Sequence, residues 1–194
     1  PGKRYPVFVN HYGGPAAQVV TRAWKGALPQ AIVDKGYIYF QLDNRGSENR
    51  GVAFASPLYR AMGSVEVADQ LAALLGADSA AFSIAVAPVT KWELYDTFYT
   101  ERYLGDPRTE PEVYAKSNAL SDTAKIGDPL LIIHGMADDN VVFEHSSAII
   151  AKLQGEAVPF EMMLYPGQRH GVRGAHDPRH RPSGSASCRA TRSS

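Results

Sequence analysis

Apolar positions along the chain fall into two patterns, separated by polar and glycine-rich stretches. Short continuous runs occupy residues 5–10, 37–42, 82–87, 130–133 and 160–165, the length and makeup expected of strands in a largely buried sheet. Pro6 falls near the start of the first run, where a missing N–H does least harm to a ladder. Between the runs lie stretches with helical spacing. Val65, Val67, Ala68, Leu71, Leu74 and Leu75 follow Ser64, which suits an N-cap, with Glu66 and Asp69 in or near the first turn. Residues 143–153 put Ile149, Ile150 and Leu153 on one face, and residues 28–34 end at Lys35-Gly36, a helix-stop signal. Strands alternating with helices in this way predict a mostly parallel α/β sheet.

The run Leu130-Leu131-Ile132-Ile133 breaks at His134-Gly135 into a polar loop with two adjacent acids, Asp138 and Asp139. In open α/β sheets the chemistry sits just past the carboxyl ends of strands, so either acid is a candidate functional group. The last run leads into Pro166-Gly167-Gln168-Arg169-His170-Gly171. An acid after one strand and a histidine after the next is how a hydrolase triad orders its last two members, with the nucleophile upstream. Each residue also has a plainer reading: an aspartate before a helix commonly caps a turn, and aromatic clusters are ordinarily core.

Composition narrows the class. The 194 residues contain 44% apolar and 21% charged side chains, ordinary values for a globular protein, and suffice for one domain with a sizeable core. Lys+Arg and Asp+Glu are both 20, which argues against an extended nucleic-acid surface. No apolar run reaches the roughly 18 residues of a membrane span. The chain starts at Pro1 with no leader-like segment, so the expectation is a fragment or processed piece. One cysteine, Cys188, rules out an internal disulfide.

Residues 92–103 are rich in aromatics and residues 107–128 are polar. From Gly174 to the end the chain is rich in Arg, Ser, His and Pro without a large apolar side chain, and is expected to be disordered. His176, His180 and Cys188 in that tail match no standard ligand spacing, so no metal and no cofactor is expected.

Taken together, His11-Tyr12-Gly13-Gly14-Pro15, Asp43-Asn44-Arg45-Gly46-Ser47, Gly63-Ser64-Val65-Glu66-Val67-Ala68-Asp69-Gln70, the aromatic stretch 92–103, residues 134–140 and His170-Gly171 resemble the dipeptidyl peptidase IV branch of the prolyl oligopeptidase (S9) serine peptidases. The resemblance covers about residues 5–172. It implies an α/β-hydrolase domain over residues 1–173, with 174–194 as a tail. It also implies a partner β-propeller outside this chain, a peptide substrate cut after proline or a small residue near its N-terminus, and a homodimer. Carried over by position, Asp138 is the triad acid, His170 the triad histidine and Tyr12 an oxyanion donor. Trp92, Tyr95, Tyr99, Val89 and Val141 match the walls of the pocket for proline, and Asn140 a contact to the substrate carbonyl.

Two departures stand against the family pattern. No serine lies in Gly-x-Ser-x-Gly, the elbow that carries the nucleophile. Only residues 75–81 separate the Asp69-Gln70 helix from the Val86-Ala87-Pro88-Val89 strand, whereas a parallel crossover needs about a dozen residues or more. The expected fold is therefore a truncated α/β-hydrolase, a doubly wound parallel sheet without its central nucleophile strand. Ser47 follows a strand and a glycine, but it lacks a strained elbow and matches a non-nucleophilic family position. The tail, secondly, has no amphipathic face where the family has a helix packed on the sheet, and reads as a shifted frame or an unrelated extension. The chain is accordingly expected to be an inactive peptidase domain. The alternatives are a peptide-binding remnant and an esterase on the same fold.

Overall fold

Every apolar run in the described part of the chain becomes a strand, and every strand pairing is parallel. The computed structural model describes residues 5–74 and 83–171. In chain order the elements are β1 (Val7–Val9), α1 (Ala27–Asp34), β2 (Ile38–Phe40), α2 (Val52–Ala55), α3 (Val65–Leu74), β3 (Ser83–Val86), α4 (Thr97–Leu104), α5 (Pro111–Lys116), β4 (Leu130–Gly135), α6 (Glu144–Gly155) and β5 (Glu161–Tyr165). Tight 3-10 turns over Ser56–Leu58, Trp92–Leu94 and Ala119–Lys125 lie between them. Leu75 and Phe82, expected at the ends of a helix and a strand, fall outside the described residues, as do the tail 174–194 and its His176, His180 and Cys188.

The strands form two separate sheets, β1-β2 and β3-β4-β5. In the first, Val7 pairs with Ile38; in the second, Ser83 pairs with Leu130 and Leu131 with Glu161. β4 is the central strand and is mostly buried, as its unbroken Leu-Ile composition requires. Leu130 and Ile132 of β4 pack against Ile149 and Leu153 of α6, with Leu120, Ile126 and Phe160 around them. A second core sits beneath the aromatic segment, where Leu58, Met62, Leu104 and Tyr114 are buried together.

Among the described residues no strand joins the two sheets, so β1 and β3 each keep an open edge. The apolar side chains of β3 show the consequence: Ile84 is 44% exposed and Val86 56%, where β4 at the sheet centre buries its own. Val67 and Leu71, on one side of α3, are likewise exposed. The hydrophobic pattern thus prepares surfaces that the described chain leaves uncovered.

One local expectation needs correction. Ser64 does not act as the acceptor cap of α3: its hydroxyl donates to the Ala61 carbonyl at 2.7 Å, while the Glu66 carboxylate takes the Gly63 N–H at 2.9 Å. The polar stretch 107–128, to which the sequence assigned no element, contains a helix and a 3-10 turn. Pro111 opens α5, where its absent N–H costs nothing, and Asn118 caps the following 3-10 turn by accepting from Leu120 N–H. No helix among the described residues is long and apolar enough to cross a membrane.

Candidate active site

The carboxyl ends of β4 and β5 are stitched together by backbone bonds, Met136 N–H to the Tyr165 carbonyl and Ala137 N–H to the Gln168 carbonyl, both at 3.0 Å. Their closeness depends on Gly135. A Cβ there would stand 2.4 Å from the Gln168 carbonyl oxygen and 2.5 Å from that of Arg169, far inside van der Waals contact. The glycine lets the loop carrying His170 cross directly over the end of β4.

That crossing brings the acid and the histidine together. His170 Nδ1 lies 3.0 Å from Asp138 Oδ2. A carboxylate can only accept, so the imidazole proton sits on Nδ1 and the Nε2 lone pair faces outward. The other oxygen, Oδ1, accepts from Asn140 N–H at 2.9 Å and Val141 N–H at 3.0 Å. Burial alone would raise the Asp138 pKa. The two N–H groups together with the His170 hydrogen bond and charge outweigh it and hold the carboxyl below its ordinary value. The pair is therefore a fixed anion bonded to a partly exposed base, the arrangement in which an imidazole accepts a proton from a bound nucleophile.

His170 opens onto a cleft of about 340 Å³. Tyr12, Val89, Trp92, Tyr95, Tyr99, Asn140 and Val141, all singled out from sequence, line it as well, joined by His11 and Pro88. Asp138 lies behind His170. Asp96 caps α4 by accepting from Tyr99 N–H, and the helix then sets Tyr99 against the ring of Trp92 at 6.2 Å, nearly parallel. Tyr95 stands edge-on to both, 5.9 Å from Trp92 and 5.5 Å from Tyr99. These rings make a flat-sided slot suited to a compact apolar ring. Burial raises the pKa of both Tyr95 and Tyr99, so each keeps its proton at neutral pH. The Tyr95 hydroxyl donates to Asn140 Oδ1 at 2.8 Å, which holds the amide of this cleft-lining residue and leaves its N–H₂ group available as a donor.

Tyr12 stands on the loop after β1 and is 62% exposed at the mouth of the cleft. Residues 43–47 hold that loop. Asn44 Nδ2 donates to the Gly13 carbonyl, and both oxygens of Asp43 take the N–H groups of Val19 and Val20. Gln70 of α3 in turn donates to Asn44 Oδ1. Arg45 forms a two-toothed ion pair with Asp69 of α3. Ser47 is buried in this buttress and does not line the cleft, and no serine, threonine or cysteine among the described residues does. No three His, Cys, Asp or Glu side chains among the described residues are grouped to hold a metal ion.

Sequence reasoning missed several polar groups behind the cleft. His134, read only as the end of a strand, is fully buried beside Asp138, and Ser146 of α6 contacts it. His145 is also fully buried. Its Nδ1 accepts from Thr90 N–H at 3.2 Å, and Thr90 Oγ1 donates back to the His145 carbonyl, tying the chain between Val89 and Trp92 to α6. A histidine ending a continuous apolar strand was the available signal for His134; nothing in the spacing pointed to His145.

The model of the prolyl oligopeptidase family matches residues 26–81 and 72–184. The two pieces overlap over residues 72–81, from the end of α3 toward β3. Mouse dipeptidyl peptidase 8 is 33% identical over 211 residues, covering 89% of this chain and 24% of that protein. Pig dipeptidyl peptidase 4 is 32% identical, covering 88% and 27%. The first alignment is longer than the chain itself, so that relative carries residues this chain lacks. The crystal structure of Porphyromonas gingivalis dipeptidyl peptidase 4 superposes with a TM-score of 0.83 at 29% identity, over 89% of this chain and 29% of that one. The chain spans about a quarter of the length of the curated relatives it matches.

Proposed function

The chain belongs to the prolyl oligopeptidase family, and we propose that it supplies the acid, the histidine and the substrate slot of a dipeptidyl-peptidase-type site but no nucleophile. The observation that carries this reading is the 3.0 Å contact between Asp138 and His170 at the rim of the aromatic cleft. In the full site His170 Nε2 would take the proton of an attacking serine, and Tyr12 would help hold the oxyanion. The slot between Trp92, Tyr95 and Tyr99 would seat a proline or small side chain, with the Asn140 amide on a substrate carbonyl. The substrate is a peptide cut near its N-terminus. The propeller partner and the homodimer implied by the family belong to the same proposal.

For this chain the proposal is inactivity. Losing a triad serine leaves on the order of a thousandfold over water, supplied by the oxyanion donors and binding. Here the backbone donor beside the nucleophile is lost with it, so turnover falls below detection. Treating the protein with a fluorophosphonate probe and assaying a Gly-Pro anilide should give neither label nor product. Labelling at any serine would overturn the proposal of inactivity.

A second reading, a peptide-binding protein without catalysis, is favoured by the slot itself, whose aromatic walls and Asn140 donor are in place without the nucleophile. Calorimetric titration with Ala-Pro should then show saturable heat that Trp92→Ala abolishes. The esterase alternative requires hydrolysis of a short acyl ester where the anilide is untouched.

A further inference from the structure

A second histidine lies directly behind the acid, and none of the chemistry above uses it. His134, on β4, is wholly buried, with Phe143 edge-on at 5.6 Å. Both ring nitrogens are engaged. Nε2 is 2.8 Å from the Val141 carbonyl oxygen and 3.2 Å from Asp138 Oδ2, and Nδ1 is 2.6 Å from Ser146 Oγ on α6. Neither the carbonyl nor the carboxylate can donate, so Nε2 carries the proton, and the Ser146 hydroxyl donates to the Nδ1 lone pair.

We propose that His134 is a positioning residue for Asp138. It acts by two routes. Its N–H holds the Val141 carbonyl, and so fixes the turn whose Asn140 and Val141 N–H groups grip Oδ1. Nε2, whose N–H bond is directed at that carbonyl, also lies 3.2 Å from Oδ2, the oxygen that receives the proton of His170 Nδ1, and so places the positive end of the N–H dipole beside it. The carboxylate is thereby pinned from behind while His170 meets it from the front. Ser146 sets the ring's orientation, so α6, docked on β4 through Ile149 and Leu153, takes part in aiming the acid. Besides Asp138, the ionisable His145, next to Ser146 on α6, lies close enough to interact with the ring. The inference rests on reading Asp138 and His170 as a working pair, but requires no turnover.

The test is the imidazole ¹⁵N spectrum of the full chain labelled at histidine, recorded at alkaline pH. An unconstrained neutral histidine side chain favours the proton on Nε2, so a proton held on Nδ1 of His170 reports a correctly placed Asp138. In the unsubstituted protein His134 should carry its proton on Nε2 and His170 on Nδ1. In His134→Leu the Nδ1–H form of His170 should fall from major to minor. His134→Gln, whose amide keeps an N–H for Val141 and Asp138, should restore it. A role in packing alone would lower the melting temperature and leave the His170 tautomer unchanged, overturning the inference. If the leucine variant does not fold, Ser146→Ala provides the same reading: His134 should keep its proton on Nε2, where both acceptors remain, but lose its fixed orientation, and His170 should show a partial loss of Nδ1–H; an unchanged His170 signal overturns the inference. Absence of Nδ1–H on His170 in the unsubstituted protein would instead overturn the paired reading of Asp138 and His170.

Discussion

Asp138 and His170 touch at 3.0 Å across 32 residues of sequence, yet the aspartate side chain is fully buried and the histidine side chain is 45% exposed. The asymmetry suits their proposed roles. An anion that must hold one ring orientation gains from burial among fixed N–H donors, whereas a base must remain accessible to the group it deprotonates.

The buried carboxylate predicts an acid-sensitive contribution to stability. Its folded pKa lies below the ordinary aspartate value, so its contribution is complete above about pH 4 and is lost as pH falls through the folded value. Asp138→Asn should cost on the order of 1–3 kcal/mol at neutral pH. Urea unfolding at a series of pH values should show the gap between the two proteins closing in acid; a gap that stays constant would refute the assignment.

His145 should act at higher pH. Burial first, and the neighbouring His134 second, push its pKa below the ordinary histidine value, so the folded protein favours the neutral ring. The stabilising contribution is complete above about pH 6.5 and declines as pH falls from there through the lowered folded value. In the His145→Gln variant this part of the stability profile should flatten, as read by melting temperature against pH.

Gly135→Ala should separate the acid from the histidine without touching either. The new methyl has two carbonyl oxygens in its space, and moving the loop at 168–169 should cost roughly 1–3 kcal/mol. The His170 Nδ1–H signal should weaken together with the melting temperature. An unchanged signal would mean that the loop does not depend on this close approach.

The open edge of β3 predicts a contrast within one sheet. Val86→Thr, at an exposed strand position, should change stability by no more than about 0.5 kcal/mol. Ile132→Ala, at the fully buried centre of β4, should cost roughly 2–5 kcal/mol. Light scattering should also show less self-association for the threonine variant, because an apolar open edge invites strand pairing. A large loss of stability at Val86 would mean that β3 is covered in solution.

Much of this architecture was legible in the residues. β1 to β5 stand where short apolar runs are bounded by glycine, proline or charge, and α3 and α6 where the spacing turns helical. Asp138 and His170 were legible from their order after successive strands. α5 and the turn after it were not: a polar stretch without apolar periodicity hides a helix that is fixed by Pro111 at one end and by the buried Tyr114. Ser64 does not cap α3 because its hydroxyl donates backward to the Ala61 carbonyl, while Glu66 reaches back to the Gly63 N–H ahead of the helix, a local choice that residue types alone do not fix.

Sequence by itself determined most strand and helix segments, the parallel class of the sheet and the order of an acid and a histidine after its last two strands, because each depends on local periodicity and chain order. Tertiary structure alone decided that His134, Val141 and Ser146 converge behind Asp138, and that the strands divide into two sheets with β3 exposed. Those outcomes depend on which side chains from a strand and a helix meet when they dock. Close packing and the cost of leaving buried polar groups without partners settle that choice only in three dimensions.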